Sequence, residues 1–284
     1  MDVKIGSIFK EPQNIIYEIK KRKKDIIVWS LLIIIVILVF ILISSKDFSF
    51  MLVLSSLTQM FSFVIVLLKV YNCQNCSGLS LNTLICYLLV LSGRLSSTLF
   101  YNGYLPSDTS GDWFYQLTEI LSLILILLLI YLMIKKYKVT SDINLDTIKF
   151  YYFAIPCLII GLLVHPILNS NFITDSLWTF SMYLQAFSIF PQIQLFINKK
   201  GQIETYTSHY VALLGLSTVF SIFFWYDTYE ELNNWSDISF PFFADYVGYI
   251  VIFSQALQLI IMADFYYLYF KSLFKGEQIN TMGI

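Results

Sequence analysis

The chain has 284 residues, of which 57% are hydrophobic and 13% are charged, and its mean hydropathy is +0.71. Soluble domains carry about 25% charged residues. This composition therefore excludes a soluble globular protein and predicts one that crosses the bilayer several times. The formal net charge of −1 indicates no particular partner, and the four cysteines do not suggest a disulfide framework.

The N-terminal segment predicts a membrane anchor that is not removed. Residues 1–25 are polar and contain a basic run at 20–24, and an apolar run from Ile26 to Ile43 follows. This run is too long for the core of a signal peptide, and no small-residue cleavage site follows it. The sequence thus predicts a first transmembrane helix with its N-terminus in the cytosol.

Seven more apolar segments follow, separated by short loops. They lie at about 50–71, 79–99, 113–134, 150–168, 176–197, 207–226 and 243–270. A transmembrane helix needs about 20 apolar residues. The pattern therefore predicts an all-α polytopic membrane protein with eight transmembrane helices and no separate soluble domain.

The sixth helix is predicted to be central. It carries Gln185 near its middle and the pair Pro191-Gln192 near one end. A proline removes a backbone hydrogen bond and bends the helix. Within a bilayer the freed carbonyl needs partners from neighbouring elements, so we expect this helix to be packed on several sides.

Basic residues set the predicted orientation. With eight spans both termini lie in the cytosol, and Lys or Arg residues then collect on that side at positions 4, 10, 20–24, 69, 135, 136, 138, 149, 199, 200, 271 and 275. Only Lys46 falls on the far side, and Arg94 lies within a helix. The far-side loops are acidic, with carboxylates at 108, 112, 227, 230, 231 and 237. So clean a partition also supports the count of eight.

An internal repeat relates two helices. The segment that starts at Gln59, QMFSF, resembles the segment that starts at Gln185, QAFSI, and Asn72 and Asn198 keep the same offset of 126 residues. This spacing predicts a parallel repeat of two three-helix units, helices 2–4 and 6–8, joined by helix 5. Such repeats are typical of transporters, with the binding site between the halves. Chance similarity between apolar helices is the alternative.

Arg94 is the sharpest candidate for a binding residue. An arginine inside an apolar segment is costly and normally faces a cavity or a partner, and its planar fork suits a carboxylate. The sequence favours an anion-binding role. An internal salt bridge to Asp264 or Glu119, or snorkelling of the side chain towards the lumen, remains open.

Other polar and aromatic residues inside the helices have ordinary structural explanations as well. Gln59 and Gln185 can form hydrogen bonds between helices, and Trp178 and Trp225 suit an interfacial tryptophan belt. Asp264, in the last helix, is interpreted as a structural polar residue, as are Pro191 and Gln192.

We find no sequence pattern of catalysis. Cys73 and Cys76 form a weak zinc signal without a second pair, and His165 and His209 lie far apart without a nucleophile arrangement. No phosphate loop or metal constellation is present in the sequence. The sequence therefore predicts no enzyme, no cofactor, no metal site and no nucleic-acid partner.

Several motifs resemble the KDEL receptor family, the ER lumen protein-retaining receptors. They are CSGLS (76–80), WTFSMYL (178–184), PQ (191–192), ETYTSHY (204–210), GL (215–216) and DFYYLY (264–269). The resemblance covers about residues 51–276. The extra N-terminal helix and the VHP stretch at 164–166 look more like the divergent KDEL-receptor-like branch.

The resemblance implies a SWEET-like seven-helix fold with a lumenal cavity, and cycling between Golgi and ER. Family members capture the C-terminal tetrapeptide of escaped lumenal proteins, more tightly at acidic pH, and then engage the retrograde vesicle coat. Arg94 matches the family arginine that receives the peptide carboxylate. Asp175 stands where the family has a glutamate near the basic end of the peptide, and Trp178 and Trp225 match cavity tryptophans.

This chain also departs from the family pattern. Gln59 replaces the pH-sensing histidine and Gln185 replaces a glutamate of the locking pair, so the sequence predicts weak pH dependence. Leu52, Thr218 and Thr228 stand where the family has arginines, and Ser217 and Ser221 stand where it has tyrosines. Ser97 replaces an aspartate, and Glu277-Gln278 replaces a C-terminal lysine pair.

The sequence thus predicts a basic tail and extra helix at 1–47, a receptor-like domain at 48–276 and a short cytosolic tail at 277–284. The expected function is that of an ER retention-sequence receptor in ER and Golgi membranes, with a lumenal cargo peptide, the retrograde coat and the lipid bilayer as partners. The expected ligand-binding residues are Arg94, Asp175, Trp178, Gln185, Trp225 and Gln59. The alternatives are a small-solute transporter of the SWEET or PQ-loop type and a trafficking scaffold that has lost KDEL binding.

Overall fold

The computed structural model describes residues 23–43, 50–101, 105, 112–169, 171–233, 243–275 and 277–279. Among these residues the regular elements are helices, and none of them forms a strand. The basic residues before Lys23, the isolated Lys46 and the loop acids Asp108 and Asp237 lie outside the described residues.

Ten α-helices cover the eight apolar segments in the described part of the chain. They are α1 (Lys23–Ile43), α2 (Phe50–Cys73), α3 (Leu81–Thr98), α4 (Asp112–Tyr131), α5 (Tyr151–Leu163), α6 (Phe172–Phe187), α7 (Phe190–Lys199), α8 (Thr205–Thr228), α9 (Val247–Ile261) and α10 (Ala263–Lys275). A π-helical turn, Leu132–Lys136, extends α4. Short 3₁₀ helices lie at Lys138–Thr140, Tyr229–Leu232 and Ala244–Tyr246.

Local signals in the sequence explain several of the helix boundaries. Ser80 caps α3 by accepting a hydrogen bond from the Thr83 backbone, and Asn171 caps α6 by accepting from two backbone N–H groups. Side-chain acceptors at these positions satisfy N–H groups that lack a partner within the helix. The sixth segment breaks between α6 and α7, where Pro191 stands in the first turn of α7. The break therefore falls beside the proline, as predicted.

Four helical segments in the described residues are long and apolar enough to cross a membrane. They are Phe50–Cys73, Asp112–Lys136, Thr205–Leu232 and Ala244–Ile261. Two shorter apolar helices are Asp25–Ile41 and Tyr151–Leu163. Large apolar side chains on α1, α4 and α5 point outwards, among them Ile33, Ile41, Leu127 and Ile159. Such an outer surface suits lipid contact, which supports a multi-pass membrane protein.

Helix α6 lies at the centre, as the sequence predicts. It packs against α3, α5 and α9, and nearly all of its residues from Asp175 to Ala186 are buried. Two glycines permit the close approach of its neighbours. A Cβ atom on Gly93 would lie 2.8 Å from the Leu177 carbonyl oxygen, and one on Gly161 would lie 2.9 Å from the Phe180 nitrogen.

The remaining packing follows a cross-wise pattern. Helix α4 packs against both α2 and α3, and α9 packs against both α6 and α8. The group α2–α4 meets the group α6, α8 and α9 where α2 lies along α8 and α3 lies along α6. Helix α1 packs against α2 and α8. This arrangement brings α2, α3, α4, α6 and α8 around one polar site.

Candidate functional site

A buried ion pair lies at the centre of the site. Arg94 directly follows Gly93 on α3, so the close packing of α3 against α6 carries it into the interior. Its Nε lies 2.7 Å from Glu119 Oε2 and its Nη2 lies 2.8 Å from Glu119 Oε1. Its Nη1 donates to Gln185 Oε1 at 3.0 Å. Glu119 is fully buried, and the side chain of Arg94 is only 9% exposed.

Hydroxyl groups complete the surroundings of the Glu119 carboxylate. Ser56 Oγ on α2 donates to Glu119 Oε1 at 3.0 Å and lies 2.6 Å from Thr118 Oγ1. A bidentate carboxylate–guanidinium pair is among the strong hydrogen-bonded contacts in proteins. We call Arg94, Glu119, Gln185, Ser56 and Thr118 the Arg94 cluster. It is built entirely from side chains of four helices.

A small cavity adjoins the Arg94 cluster. The space that a water molecule can enter is about 10 Å³, roughly the volume of one water-sized probe. The cavity therefore has room for roughly one water in this conformation. Its lining residues are Leu52, Ser55, Ser56, Arg94, Tyr115, Glu119, Trp178, Met182, Ser221 and Trp225.

Two tryptophans form one wall of this cavity. The rings of Trp178 on α6 and Trp225 on α8 meet edge to face, with centroids 5.4 Å apart and an angle of 73°. Both are almost completely buried. Trp225 Nε1 is buried without a hydrogen-bond partner among the described residues. A buried indole N–H normally finds an acceptor, so this donor is available to a ligand.

The structure brings four of the six predicted binding residues together. Arg94, Trp178 and Trp225 line the cavity, and Gln185 binds Arg94. The other two, Asp175 and Gln59, are not among the described residues that line the cavity. Asp175 lies three residues before Trp178 on α6 and accepts a hydrogen bond from Asn169 Nδ2 at 2.9 Å.

Gln59 lies one turn beyond Ser56 on α2 and is buried. Its Nε2 atom has no hydrogen-bond partner within the described part of the chain. A buried amide donor without a partner costs free energy. The expected hydrogen bond between helices is therefore not formed by this atom in the described structure.

Sequence reasoning considered Glu119 only as an alternative partner of Arg94, and the structure makes it the partner. It overlooked Ser56 and Tyr115 altogether. The spacing of Tyr115 and Glu119, four residues apart on one helical face, was the available signal. Asp264 is not that partner, because it lies exposed in the first turn of α10.

Gln192 and Asp142 belong to a second polar cluster, away from the cavity lining. Gln192 is fully buried, accepts from the Ser80 backbone N–H at 2.9 Å and donates to the Gly78 carbonyl at 2.7 Å. Asp142 lies 2.7 Å from Lys199 Nζ and accepts from the Gly78 backbone N–H at 2.7 Å. Asp146 accepts from Ser80 Oγ and from the Asn82 backbone N–H. We call these residues the Asp142 cluster.

The contacts of Asp142 stabilise its negatively charged form. Burial raises the pKa of this carboxyl, but the hydrogen bonds from Lys199, Gly78 and Ser77 outweigh burial, and the resulting pKa is below its ordinary value. Since these contacts tie the loop after α2 to the end of α7, the Asp142 cluster fixes three elements to one another.

The extra N-terminal helix is attached by a histidine. His209 Nε2 on α8 lies 2.9 Å from Asp25 Oδ1 on α1, and His209 Nδ1 lies 2.8 Å from the Tyr269 hydroxyl. Trp29 Nε1 also donates to that hydroxyl, at 3.2 Å. His209 is thus a structural residue that joins α1 to α8 and α10.

The fold and the site together define a class: a polytopic helical membrane protein with a small, arginine-centred polar cavity between its helices. Comparison with known proteins identifies the family. A family model described as "ER lumen protein retaining receptor" matches residues 75–228. The chain belongs to the ER lumen protein retaining receptor family.

Curated relatives agree in name, and the alignments span nearly the whole length of each of them. The chain is 32% identical over 232 residues to an ER lumen protein-retaining receptor of Dictyostelium discoideum, an alignment that covers 80% of this chain and 95% of that protein. It is 28% identical over 226 residues to the receptor of Drosophila melanogaster, with 79% and 94% covered. It is also 28% identical over 228 residues to receptor 3 of Mus musculus, with 80% and 95% covered.

Proposed function

We propose that this protein is an ER retention receptor that binds the C-terminal peptide of lumenal cargo proteins in the Arg94 cavity. The observation that carries the proposal is the buried Arg94 guanidinium beside the Trp178–Trp225 wall, within a chain whose relatives are named as retention receptors. The guanidinium can receive a carboxylate in its planar fork. The indole rings offer apolar contact surface for a peptide side chain, and Trp225 Nε1 is a donor in need of an acceptor.

The proposal includes eight membrane spans with both termini in the cytosol and residence in ER and Golgi membranes. In this topology α3 starts in the cytosol at Leu81 and ends in the lumen at Thr98, so Arg94 lies near the lumenal end. The Asp142 cluster then lies at the cytosolic end. The cross-wise packing of α2–α4 against α6, α8 and α9 supports a parallel repeat with the site between its halves.

Glycosylation tags test this topology. An acceptor tag inserted after Asp108 should be glycosylated, because the loop between α3 and α4 is proposed to face the lumen. Tags placed before Lys20 or after Lys275 should stay unmodified. Glycosylation of the N-terminal tag would refute the eight-span arrangement.

Peptide binding tests the function directly. The purified full-length protein is screened against a library of C-terminal tetrapeptides with free carboxylates, each paired with its amide. We expect selective binding of at least one free-acid peptide and loss of that binding in Arg94→Ala. If no peptide binds, the result counts against the receptor function. It then also counts against the proposal that cargo binding leads the protein to engage the retrograde vesicle coat.

One observation favours the alternative of a trafficking scaffold that has lost KDEL binding. Arg94 is already neutralised by Glu119, and the cavity has room for no more than one water. A second alternative, solute transport, is favoured by buried amide groups without partners in the described residues, on Gln59 and Gln255. Uptake of labelled solutes into proteoliposomes would distinguish a transporter from both other functions.

A further inference from the structure

We propose that Glu119 is a built-in occupant of the ligand's carboxylate site, so that a peptide carboxylate binds Arg94 only by displacing it. Glu119 would then set the affinity and the carboxylate selectivity of the cavity. This inference rests on the proposed receptor function and adds a specificity-determining residue to it.

The geometry of the ion pair is the first argument. Both oxygens of Glu119 are used, one on Nε at 2.7 Å and the other on Nη2 at 2.8 Å. This is the bidentate, fork-to-fork arrangement in which guanidinium groups take up carboxylates generally. The edge of Arg94 that would hold a ligand carboxylate most strongly is therefore occupied. Gln185 takes the third position on Nη1, and as a neutral amide it adds no charge to the pair.

Charge balance is the second argument. Arg94 carries one positive charge and Glu119 one negative charge, and the other members of the Arg94 cluster are neutral. The remaining titratable groups that act on this pair are the phenols of Tyr115 on α4 and Tyr87 on α3, while α2, α6 and α8 present Ser56, Gln185 and Ser221. A second buried carboxylate beside one guanidinium would leave an uncompensated negative charge, which is strongly unfavourable away from water.

Space is the third argument. A cavity of about 10 Å³ accommodates roughly one water and cannot accept a peptide terminus next to an intact ion pair. Displacement of Glu119 clears the fork of Arg94 for the incoming carboxylate, which matches the outgoing one in charge and in shape. The displaced carboxylate has to turn out of the buried cluster, because a second buried negative charge would be unfavourable.

The main test compares Glu119→Gln with the wild-type protein. The probes are the peptide Lys-Asp-Glu-Leu with a free C-terminus and the same peptide as its C-terminal amide, titrated against the purified full chain. Glu119→Gln removes the competing charge while keeping the side-chain shape. We expect it to bind the free acid at least tenfold more tightly than wild type does, which is about 1.4 kcal/mol, and to bind the amide no more tightly.

Matched variants isolate the cause of the gain. Glu119→Asp keeps the charge but shortens the side chain, so it should give a smaller gain with the same preference for the free acid. The double variant Arg94→Gln/Glu119→Gln should show no gain, because the site for the carboxylate is gone. Asp142→Asn breaks another salt bridge of 2.7 Å, outside the cavity lining, and should leave both affinities unchanged.

A structure of the wild-type protein with the free-acid peptide keeps the inference testable even if Glu119→Gln does not fold. The expected complex has the peptide carboxylate on Arg94 Nε and Nη2, with Glu119 turned away. An intact Arg94–Glu119 pair in that complex would overturn the inference, as would unchanged affinity in a folded Glu119→Gln. If neither wild type nor any Glu119 variant binds this peptide or any library peptide, the receptor function itself fails.

Discussion

The Arg94 cluster and the Asp142 cluster contain salt bridges of the same length, 2.7 Å, but they are built differently. In the Asp142 cluster the carboxylates and the Gln192 amide bind backbone N–H and carbonyl groups of Gly78, Ser80 and Asn82. In the Arg94 cluster the contacts that hold the ion pair come from side chains alone.

This difference distinguishes a structural cluster, which holds elements together, from a cluster that can bind a ligand. Breaking the Asp142 cluster would leave backbone groups of a tight loop without partners, which costs free energy. The Arg94 cluster can exchange one carboxylate for another without disturbing any backbone hydrogen bond. It also lies beside a donor, Trp225 Nε1, that lacks a partner among the described residues. Burial and an ion pair alone therefore do not mark a binding site.

The largest expected effect is the loss of ligand binding in Arg94→Ala. Removing one partner of a buried charge pair costs about 2–5 kcal/mol, roughly a 30- to 5,000-fold loss of affinity. Arg94→Lys should also bind measurably worse, because an ammonium group cannot form the bidentate contact. Binding to the free-acid peptide is measured by calorimetry.

Arg94→Ala also leaves Glu119 buried without its partner, so folding needs a separate control. The double variant Arg94→Gln/Glu119→Gln restores neutrality and should unfold close to the wild-type temperature while still failing to bind. If Arg94→Ala stays folded and retains wild-type affinity, Arg94 is structural and the two clusters are equivalent.

The next effect concerns the helix contact that positions Arg94. In Gly93→Ala the new Cβ would meet the Leu177 carbonyl oxygen at 2.8 Å. Helix α3 must then move away from α6, at a cost of about 1–3 kcal/mol as for other overpacked interiors. We expect a lower unfolding temperature and weaker peptide binding together. Ser92→Ala, at an exposed position of the same helix, should change neither property. If Gly93→Ala keeps the wild-type unfolding temperature and peptide affinity, this contact does not position Arg94.

Asp142→Asn should lower stability without changing ligand affinity. The ion pair with Lys199 is partly exposed, so we expect a loss of only about 1 kcal/mol, measured by thermal unfolding in detergent. Because the folded pKa of Asp142 is lowered, its contribution is complete above the ordinary value near 3.9. It disappears only as the pH falls through the lowered folded value.

The difference in stability between wild type and Asp142→Asn should therefore be constant from pH 5.5 to 7.2. A difference that shrinks within this range would contradict the contacts assigned to Asp142. A change in peptide affinity in this variant would show that the two clusters are coupled rather than separate.

The smallest expected effect is the pH dependence of ligand binding. Gln59 and Gln185 do not titrate, and His209 is held between Asp25 and Tyr269 in the described structure. We expect affinity to change less than about threefold between pH 5.5 and 7.2, roughly 0.7 kcal/mol. Binding is measured at both values in wild type and in Gln59→His. A tenfold preference for the acidic pH would refute this expectation, and its loss in Glu119→Gln would assign the proton to Glu119.

Composition and local sequence pattern were enough to identify a multi-pass helical membrane protein. Apolar segment length and the Pro191 break depend on composition and local backbone chemistry, which are properties of neighbouring residues. The motifs at 178–184 and 204–210 likewise carried the family resemblance, and comparison with known proteins confirmed the family. Arg94 was identifiable because a charge within an apolar helix is costly wherever its partner lies.

The partner of Arg94, in contrast, follows from the way the helices pack. From the sequence, Asp264 and Glu119 were both possible partners, because each is a carboxylate in or near an apolar segment. The packing of α3 against α6 at Gly93 and of α4 against α2 and α3 places Glu119 on the guanidinium and leaves Asp264 exposed. A salt bridge depends on positions within a few ångströms, and helices far apart in sequence reach such positions only when their packed faces fix their rotation and depth.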